Sequence, residues 1–299
     1  MKFKNDVFGV GQCSLDYIAL TPSYPSPDVK CEVTSLTIQG GGPVATALVA
    51  LSRWGLDCFM AGVAGDDDFG RKILKSLEEE GVDTGGVQIR GCCQSQFAFV
   101  ISEPTSARRT IFWQRPTGFP LRPQEINLEV LYKSSALHTD GLFPEASLFA
   151  CLKAKAVGIP VIVDAGTLRD GMLDIAKTSD CFIASEVFSR AYAETPEETC
   201  RKLADLGVKW AGVTLGAQGS VALIDGRWIR QKACPVKAID TTGCGDIFHA
   251  AITYAIVKGW GAEKAMDLAS WAAGQVSTKI GGRSGIPEKK RLDEKFGDL

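Results

Sequence analysis

Short apolar runs alternate with amphipathic stretches along most of the chain, a pattern typical of parallel strands joined by crossover helices. Four runs have the apolar character of buried strands, at residues 136–139, 161–164, 181–184 and 210–215. Helical stretches lie among them, at residues 146–157, 171–177 and 196–206. The sequence therefore predicts an α/β fold built around a mostly parallel sheet.

The bulk composition excludes several classes of protein. The 299 residues carry 33 Lys and Arg against 35 Asp and Glu, a formal net charge of −2, which argues against a nucleic-acid binder. The apolar runs fall far short of the roughly 20 residues that a membrane span requires. The ten cysteines include no C-x-x-C pair, which disfavours a zinc site and favours reduced thiols. We therefore expect a cytoplasmic protein without a nucleic-acid or membrane partner.

No repeat, linker or low-complexity tract divides the chain, so we expect a single domain over residues 1–299. Two strand pairs interrupt the α/β order. The strands at 221–224 and 227–231 are joined by the tight turn Asp225-Gly226. A second, aromatic-rich pair, at 96–102 and 109–114, predicts a small sheet outside the main core. Arg108 and Arg109 in this pair are interpreted as solvated charges.

The most informative segment is a glycine-bearing loop, residues 238–246, that runs into an apolar helix. Gly243 and Gly245 allow the backbone to approach a ligand, and the N–H groups at a helix start, including that of Cys244, can hold an anion. Asp246 in the first turn is electrostatically unfavourable beside a phosphate unless it accepts a proton from an attacking hydroxyl. Alternatively, Asp246 only complements the helix dipole. The segment by itself leaves both interpretations open.

A second glycine run, Gly40-Gly41-Gly42-Pro43, precedes an amphipathic helix that ends at Gly55. It also indicates a close backbone approach to a ligand, here to its hydroxyl groups. The run lacks the G-x-G-x-x-G spacing, and the chain contains no G-x-x-x-x-G-K-[ST] motif. As a nucleotide fingerprint, the run is therefore weak.

These two glycine segments resemble the signatures of the ribokinase family of sugar kinases, also called the PfkB family. The segment from Asp240 onward is similar to the C-terminal signature, and residues 40–55 are similar to the N-terminal one. Further matches occur in the family's order: Asp16 near the end of the first strand, the G-x-x-G-x-D-x-x-G stretch at 62–70, and the T-x-G-x-x-G stretch at 214–219. In motif detail the chain is most similar to the sulfofructose kinase branch, on residues 40–43, 46, 185–186 and 281–287.

The resemblance implies a ribokinase-like three-layer α/β/α sandwich with a mostly parallel central sheet and a small β-sheet lid. The lid strands would be inserted at about residues 12–38 and 88–115, and a homodimer through the lid is a further expectation. The implied activity is ATP-dependent phosphorylation of a hydroxyl of a small sugar or sugar derivative, with Mg²⁺ bridging the phosphates. Asp246 would accept the hydroxyl proton, and the amides of residues 243–245 would form the anion hole for the transferring phosphoryl group.

The family's matching positions supply the remaining implied roles. The residues implied in acceptor binding are Asp16, Gly41, Gly42, Thr46 and Lys30. The residues implied in nucleotide binding are Thr214, Gly216, Gly219 and Ser185. Glu186 is implied in Mg²⁺ handling. The positions that match a monovalent-cation site, such as one for K⁺, are Asp240, Thr242, Lys279 and Gly281, largely through their backbone carbonyls.

Departures from the family pattern bear on substrate and turnover. Thr46 stands where the signature usually has Asn, and Pro43 stands where ribokinase has Lys, which disfavours ribose as the acceptor. The Asn-x-x-Glu motif that organises Mg²⁺ through water has Ser185 for the Asn and Phe188 for the Glu, although Glu186 could compensate. A nucleoside kinase, or a kinase-fold binding or regulatory protein with impaired turnover, therefore stays open as an alternative.

Two side chains near Asp246 could be either reactive or structural. At a helix N-terminus the pKa of the Cys244 thiol should fall, which would make it sensitive to oxidation or alkylation. Alternatively, Cys244 only fills the space of the Ala that the family usually has there. His249 follows Asp246 by three residues and could sense the site, but a structural histidine is the simpler interpretation.

Overall fold

The computed structural model describes residues 5–103, 105 and 108–297. The strands of this part of the chain are β1 (Val7–Val10), β2 (Ser14–Leu20), β3 (Ser35–Gly41), β4 (Cys58–Gly65), β5 (Val82–Arg90), β6 (Phe97–Glu103), β7 (Arg108–Gln114), β8 (Ala136–Thr139), β9 (Val161–Ala165), β10 (Cys181–Ser185), β11 (Trp210–Thr214), β12 (Ser220–Ile224) and β13 (Arg227–Gln231). The α-helices are α1 (Pro43–Arg53), α2 (Asp68–Glu78), α3 (Leu128–Leu131), α4 (Pro144–Ala156), α5 (Met172–Ala176), α6 (Glu186–Tyr192), α7 (Pro196–Asp205), α8 (Cys244–Val257), α9 (Ala262–Val276) and α10 (Lys289–Phe296). None of these helices is long and apolar enough to cross a membrane.

Nine strands form one sheet in the order β13-β12-β11-β10-β9-β8-β1-β4-β5. Neighbours from β5 to β11 pair in parallel, and β12 and β13 add an antiparallel edge. The four predicted buried strands are β8 to β11, and the predicted helices are α4, α5 and α7, with bounds that differ by at most two residues. Asp225 and Gly226, which join β12 to β13, have positive φ angles of 47° and 78°, as a tight hairpin turn requires.

Helices cover both faces of the large sheet. Neighbouring residues of a strand point to opposite faces, and both faces carry buried apolar side chains. Helices α1, α2, α8, α9 and α10 pack on the face that carries Val7, Met60 and Ile183. Helices α3 to α7 pack on the opposite face, which carries Phe8 and Phe182. The predicted three-layer α/β/α sandwich is therefore confirmed.

A second sheet, which we call the small sheet, contains four strands in the order β3-β2-β6-β7. Gln39, Asp16, Ala98 and Trp113 pair in one row across it and therefore share a face, which we call the inner face. Arg109 lies on the inner face too, because it is four residues from Trp113 along β7. The predicted insertions at 12–38 and 88–115 overlap these strands, although residues 88–90 end β5 of the large sheet. Residues 104, 106 and 107 of the second insertion lie outside the described residues.

Candidate active site

The candidate site lies at the carboxyl ends of the parallel strands. Asp140 follows β8, and Asp164 is the next-to-last residue of β9. Ser185 ends β10, and Thr214 ends β11. Ser185 and Thr214 are direct partners in the sheet. In open α/β sheets, ligands bind in the crevice outside this edge. The fold therefore places the predicted nucleotide residues Ser185 and Thr214 side by side, and adds Asp140 and Asp164, which sequence analysis missed.

The start of α8 combines a tightly packed glycine with an open one. Gly243 has a φ of 76°, and a Cβ on it would lie 2.4 Å from Cα of Gly282, so the two loops can touch only because residue 243 is glycine. A Cβ on Gly245 would meet no atom within 4 Å. The helix start is therefore open at Gly245, as an anion site at a helix N-terminus requires, although the N–H of Cys244 donates to the carbonyl of Thr241 at 3.3 Å. Asp246 lies in the same turn.

A cavity of about 670 Å³ opens beside this helix start. Its lining includes three of the four residues implied in nucleotide binding, Thr214, Gly216 and Gly219, together with Cys244 and Gly245. Ser185, the fourth, is not among the lining residues. The volume is typical of a site for a small molecule or cofactor. The structure thus brings Thr214, Gly216 and Gly219 to one cavity with Cys244 and Gly245.

The carboxyl group of Asp246 has an unusually high proton affinity. Removal from water raises its pKa well above the usual range, and the nearby carboxylate of Asp164 raises it further. The guanidinium of Arg109 opposes this effect, while Asp16 and Asp140 add to it. A carboxylate with a raised pKa accepts a proton from a hydroxyl group more readily than an ordinary one. Its environment therefore suits Asp246 to act as a general base.

Asp16 occupies the space above the glycines that precede α1. Its Oδ2 atom lies where it would be 2.0 Å from a Cβ on Gly41. The Ser14 hydroxyl donates to Oδ1 of Asp16 at 2.7 Å. Burial raises the pKa of Asp16, and both the Ser14 hydrogen bond and the charge of Arg283 oppose that rise. Arg283 is only 6% exposed and donates from Nη1 to the Ser76 hydroxyl at 3.3 Å, a buried cation that sequence analysis missed.

Other residues implied in acceptor binding divide into two groups. The N–H of Thr46 donates to the carbonyl of Gly42 at 2.9 Å. Thr46 is buried, and its methyl group lies 3.5 Å from the Cβ position of Gly282. These residues therefore adjoin Asp16 and the α8 loop. Lys30, in contrast, is exposed in the connection between β2 and β3.

The implied monovalent-cation segments are tied together by Asp240. This fully buried carboxylate accepts at Oδ1 from the N–H and hydroxyl of Thr242, at 3.0 and 2.8 Å, and at Oδ2 from the N–H of Gly281, at 2.8 Å. Lys279 lies just after α9, and its N–H donates to the carbonyl of Val276 at 3.2 Å. The structure thus brings the segments around residues 240 and 281 side by side.

The altered Asn-x-x-Glu positions have structural roles in α6. The Ser185 hydroxyl caps the helix by accepting from the Phe188 N–H at 3.1 Å, and it donates to the carbonyl of Gly166 at 2.6 Å. Phe188 is fully buried against the ring of Phe182. Glu186 pairs with Arg190 at 2.6 Å. Within the described ranges, no group of three His, Cys, Asp or Glu side chains is placed to hold a metal ion.

Two interpretations from the sequence need correction. The predicted fall in the pKa of Cys244 is wrong: burial raises the pKa of this thiol to about 12, and the charge of Arg109 only partly opposes that rise. Desolvation therefore outweighs the helix N-terminus. Arg109 is exposed but not merely solvated, because it hydrogen-bonds the Thr241 hydroxyl and lines the cavity. Arg109 and Thr241 are 132 residues apart, so no local pattern could reveal this contact.

A glycine-bearing helix start beside such a cavity suits the binding of a phosphate group. The model of the pfkB family carbohydrate kinase matches residues 4–289. The chain therefore belongs to this family and is a phosphotransferase of the sugar and nucleoside kinase class.

Individual relatives agree with this assignment over nearly the whole chain. The chain is 27% identical over 293 residues to ribokinase of Bacillus subtilis, with 95% of this chain and 97% of that one covered. It is 27% identical over 276 residues to fructokinase-1 of Zea mays, with coverage of 84% and 83%. Its fold matches the structure of Arabidopsis thaliana ribokinase complexed with ribose and ATP, with a TM-score of 0.82, 21% identity and coverage of 99% and 100%. Similarity to the sulfofructose kinase branch stays a prediction.

Proposed function

We propose that this chain transfers the γ-phosphoryl group of ATP to a hydroxyl group of a small sugar or sugar derivative. The start of α8 carries the proposal, because it combines open space over Gly245 with the raised proton affinity of Asp246. The N–H groups of residues 243–245 would stabilise the negative charge of the transferring group. Asp246 would take the proton of the attacking hydroxyl as the new oxygen–phosphorus bond forms and ADP leaves.

ATP and Mg²⁺ fit this site in different ways. The cavity is large enough for a nucleotide, and Cys244 and Gly245 are among its lining residues, so the phosphates could meet the helix start there. No described acidic cluster could hold Mg²⁺ by itself, so an ion would be held mainly by phosphates and water, as Mg²⁺ usually is. When bound, Mg²⁺ would neutralise phosphate charge. Glu186 would have to release Arg190 before it could contribute.

The acceptor would bind between α1 and the inner face of the small sheet. Asp16, Gly41, Gly42 and Thr46 would contact its hydroxyl groups, and the small sheet would serve as a lid that excludes water. Trp113, with 46% of its surface exposed, lies in the same row of the inner face as Asp16. Its ring could stack on a nucleobase, so a nucleoside is the second candidate acceptor. The Lys30 role implied by the resemblance would require the connection between β2 and β3 to approach the acceptor.

We also propose a monovalent-cation site between the segments that Asp240 ties together. The backbone carbonyls of Asp240, Thr242, Lys279 and Gly281 would hold K⁺, because carbonyl oxygens suit such an ion. A bound cation would stabilise the loop that carries Gly243. Turnover should then be higher in KCl than in tetramethylammonium chloride at equal ionic strength, and equal turnover in the two salts would exclude the site.

The outer face of the small sheet suits a homodimer contact. Ile38, Phe99 and Phe112 lie on this face, in one row with Tyr17, and are 49%, 38% and 53% exposed. Burying such side chains against a second copy is favourable, and β3 and β7 leave unpaired strand edges. Light scattering at micromolar concentration should report a dimer, and Phe112→Glu should shift it toward monomer. A monomeric parent protein would contradict this proposal.

The principal test is a coupled assay of ADP release across hexoses, pentoses, nucleosides and sulfonated or phosphorylated sugars. Acceptor-dependent ADP release from one group would support the proposal and would identify the acceptor class. ATP binding without release on any acceptor would instead favour a binding or regulatory protein. The structural roles of Ser185 and Phe188 in α6 give no support to that alternative.

A further inference from the structure

Both ring nitrogens of His249 lie within hydrogen-bonding distance of backbone carbonyl oxygens. This nearly buried residue lies one turn after Gly245 on α8. Its Nδ1 atom lies 2.7 Å from the carbonyl oxygen of Gly245, and its Nε2 atom lies 3.0 Å from the carbonyl oxygen of Ile183. Both partners are backbone carbonyls, which only accept hydrogen bonds. A ring that donates to both carbonyls carries hydrogen on both nitrogens, as an imidazolium cation does.

A neutral ring would fit this position poorly. Either tautomer of neutral histidine has one bare nitrogen, whose lone pair would then face a carbonyl oxygen in a buried place. The carboxylate of Asp164 supplies the opposite charge, since its Oδ2 atom lies 3.3 Å from Nδ1 of His249. The same cation lowers the pKa of Asp164, against the larger rise that burial causes. A protonated His249 would therefore form a buried ion pair with Asp164.

His138, the other histidine of the chain, has different hydrogen-bond partners. Its Nδ1 atom lies 2.9 Å from the hydroxyl of Thr253, a group that can donate as well as accept. Its Nε2 atom is buried and has no partner among the described residues. Burial, and the charge of His249, lower the pKa of His138 to about 3. His138 is therefore neutral, although it is buried in the same core as His249.

Several other charged side chains act on the carboxyl groups of Asp246 and Asp164. The described acids that act on Asp246 come from β9 (Asp164), from β2 (Asp16) and from the segment after β8 (Asp140). Two arginines oppose them: Arg109 of β7 acts on Asp246, and Arg169, after β9, acts on Asp164. Asp164 is first among the charges that raise the pKa of Asp246, and His249 is first among the cations that act on Asp164.

We propose that His249 is a positioning residue, a buried imidazolium that neutralises Asp164 and thereby keeps Asp246 ionised as the base at neutral pH. This inference rests on the proposed function of Asp246. Without the cation, two buried carboxyl groups would share the negative charge, and both would bind protons more tightly. As the pH is lowered, activity would then begin to fall at a higher pH than in the parent protein, because a protonated Asp246 cannot accept the hydroxyl proton.

Nuclear magnetic resonance tests the charge of His249 without any assay of turnover. In protein labelled with ¹⁵N-histidine at pH 7, one ring should show two protonated nitrogens, and the other ring should show one bare nitrogen. His138→Gln should remove the second pattern and thereby assign the first to His249. A bare nitrogen in His249 would overturn the inference.

The pH dependence of kcat tests the link to Asp246. His249→Gln should move the acid limb of the profile to higher pH by about one unit, and His249→Gln with Asp164→Asn should return the limb toward the parent value. His138→Gln is the matched control and should leave the limb in place. If His249→Gln does not fold by circular dichroism, Asp164→Asn alone decides, because it leaves the cation uncompensated and should move the limb to lower pH.

The failures can be told apart. A doubly protonated His249 with an unmoved acid limb in these variants would overturn the inference, even if Asp246 is the base. Failure of the proposed base itself would show separately, as undiminished turnover of Asp246→Asn.

Discussion

Helices α1 and α8 both begin after glycines and pack on the same face of the large sheet, but their N-terminal ends differ. At α1, the carboxylate of Asp16 fills the space over Gly41. At α8, the space over Gly245 is open. The first turn of α1 contains Pro and no acidic residue, whereas that of α8 contains Asp246.

Under the proposed function, this difference would let the two helix starts bind different ligands. A helix N-terminus attracts negative charge. At α1 the carboxylate of Asp16 lies beside Gly41, where it could accept hydrogen bonds from neutral hydroxyl groups. At α8 the space over Gly245 would admit the charge of a ligand, and Asp246 lies in the same turn with raised proton affinity. We therefore assign the acceptor to α1 and the transferring phosphoryl group to α8.

Closing the open end of α8 should have the largest effect on this contrast. Gly245→Ala would place a methyl group in the space that a phosphate needs. We expect kcat to fall by about 10²–10³, the range for loss of an anion-hole contact, while the melting temperature holds or rises, because Ala favours helix more than Gly does. Gly243→Ala is the comparison, since its Cβ would strike Gly282 and lower stability as well. Unchanged turnover of Gly245→Ala would contradict the assignment.

Removing the charge at α1 should affect the acceptor alone. Asp16→Asn should raise the KM for the acceptor by about 10–100-fold, since hydrogen bonds to a charged group each contribute about 1.5–3 kcal/mol. The affinity for ATP, measured by calorimetry, should not change. Gly41→Ala should act in the same direction by displacing the carboxylate. An equal loss of ATP affinity would show that the two helix ends are not separate sites.

Arg109 connects the two regions, because it projects from the small sheet to Thr241 and the cavity. Arg109→Gln should raise the KM for ATP by about tenfold, through loss of one charged contact with a phosphate. Thr241→Val removes only the hydrogen bond to Arg109 and should have a smaller effect. Steady-state kinetics with ATP varied would measure both. If Arg109→Gln matched the parent, Arg109 would have no part in nucleotide binding.

Alkylation at α8 should have the smallest effect. Because burial raises the pKa of Cys244 to about 12, its thiol is protonated at pH 7 and should react slowly with iodoacetamide. Mass spectrometry should find the exposed Cys31 and Cys92 modified first, with activity retained. Rapid modification of Cys244 with loss of turnover would restore the interpretation of a reactive thiol.

Much of the fold was predictable from the sequence, because it depends on local patterns. The parallel strands are short apolar runs, and the hairpin between β12 and β13 follows from Asp225-Gly226. The glycines at the two helix starts were also visible as segments, since backbone approach to a ligand or a neighbouring loop requires glycine at fixed positions. Predictions that rest on periodicity or on glycine therefore agree well with the structure.

The charged surroundings of the site were not predictable in this way. Asp140 and Asp164 are single acids at strand ends, without a spacing that would identify them. Arg283 becomes a buried cation only when the chain segment after α9 reaches Gly40 and Ser76. The error on Cys244 has the same origin, because the degree of burial depends on tertiary packing.

The most direct test is the turnover of Asp246→Asn measured together with its affinity for ATP. If Asp246 is the base at the α8 site, kcat should fall by about 10²–10⁴, and the dissociation constant for ATP should stay near that of the parent. Glu145→Gln, which removes an exposed first-turn acid from α4, should match the parent in both measurements. An Asp246→Asn protein with the kcat of the parent would contradict the assignment of phosphoryl transfer to α8.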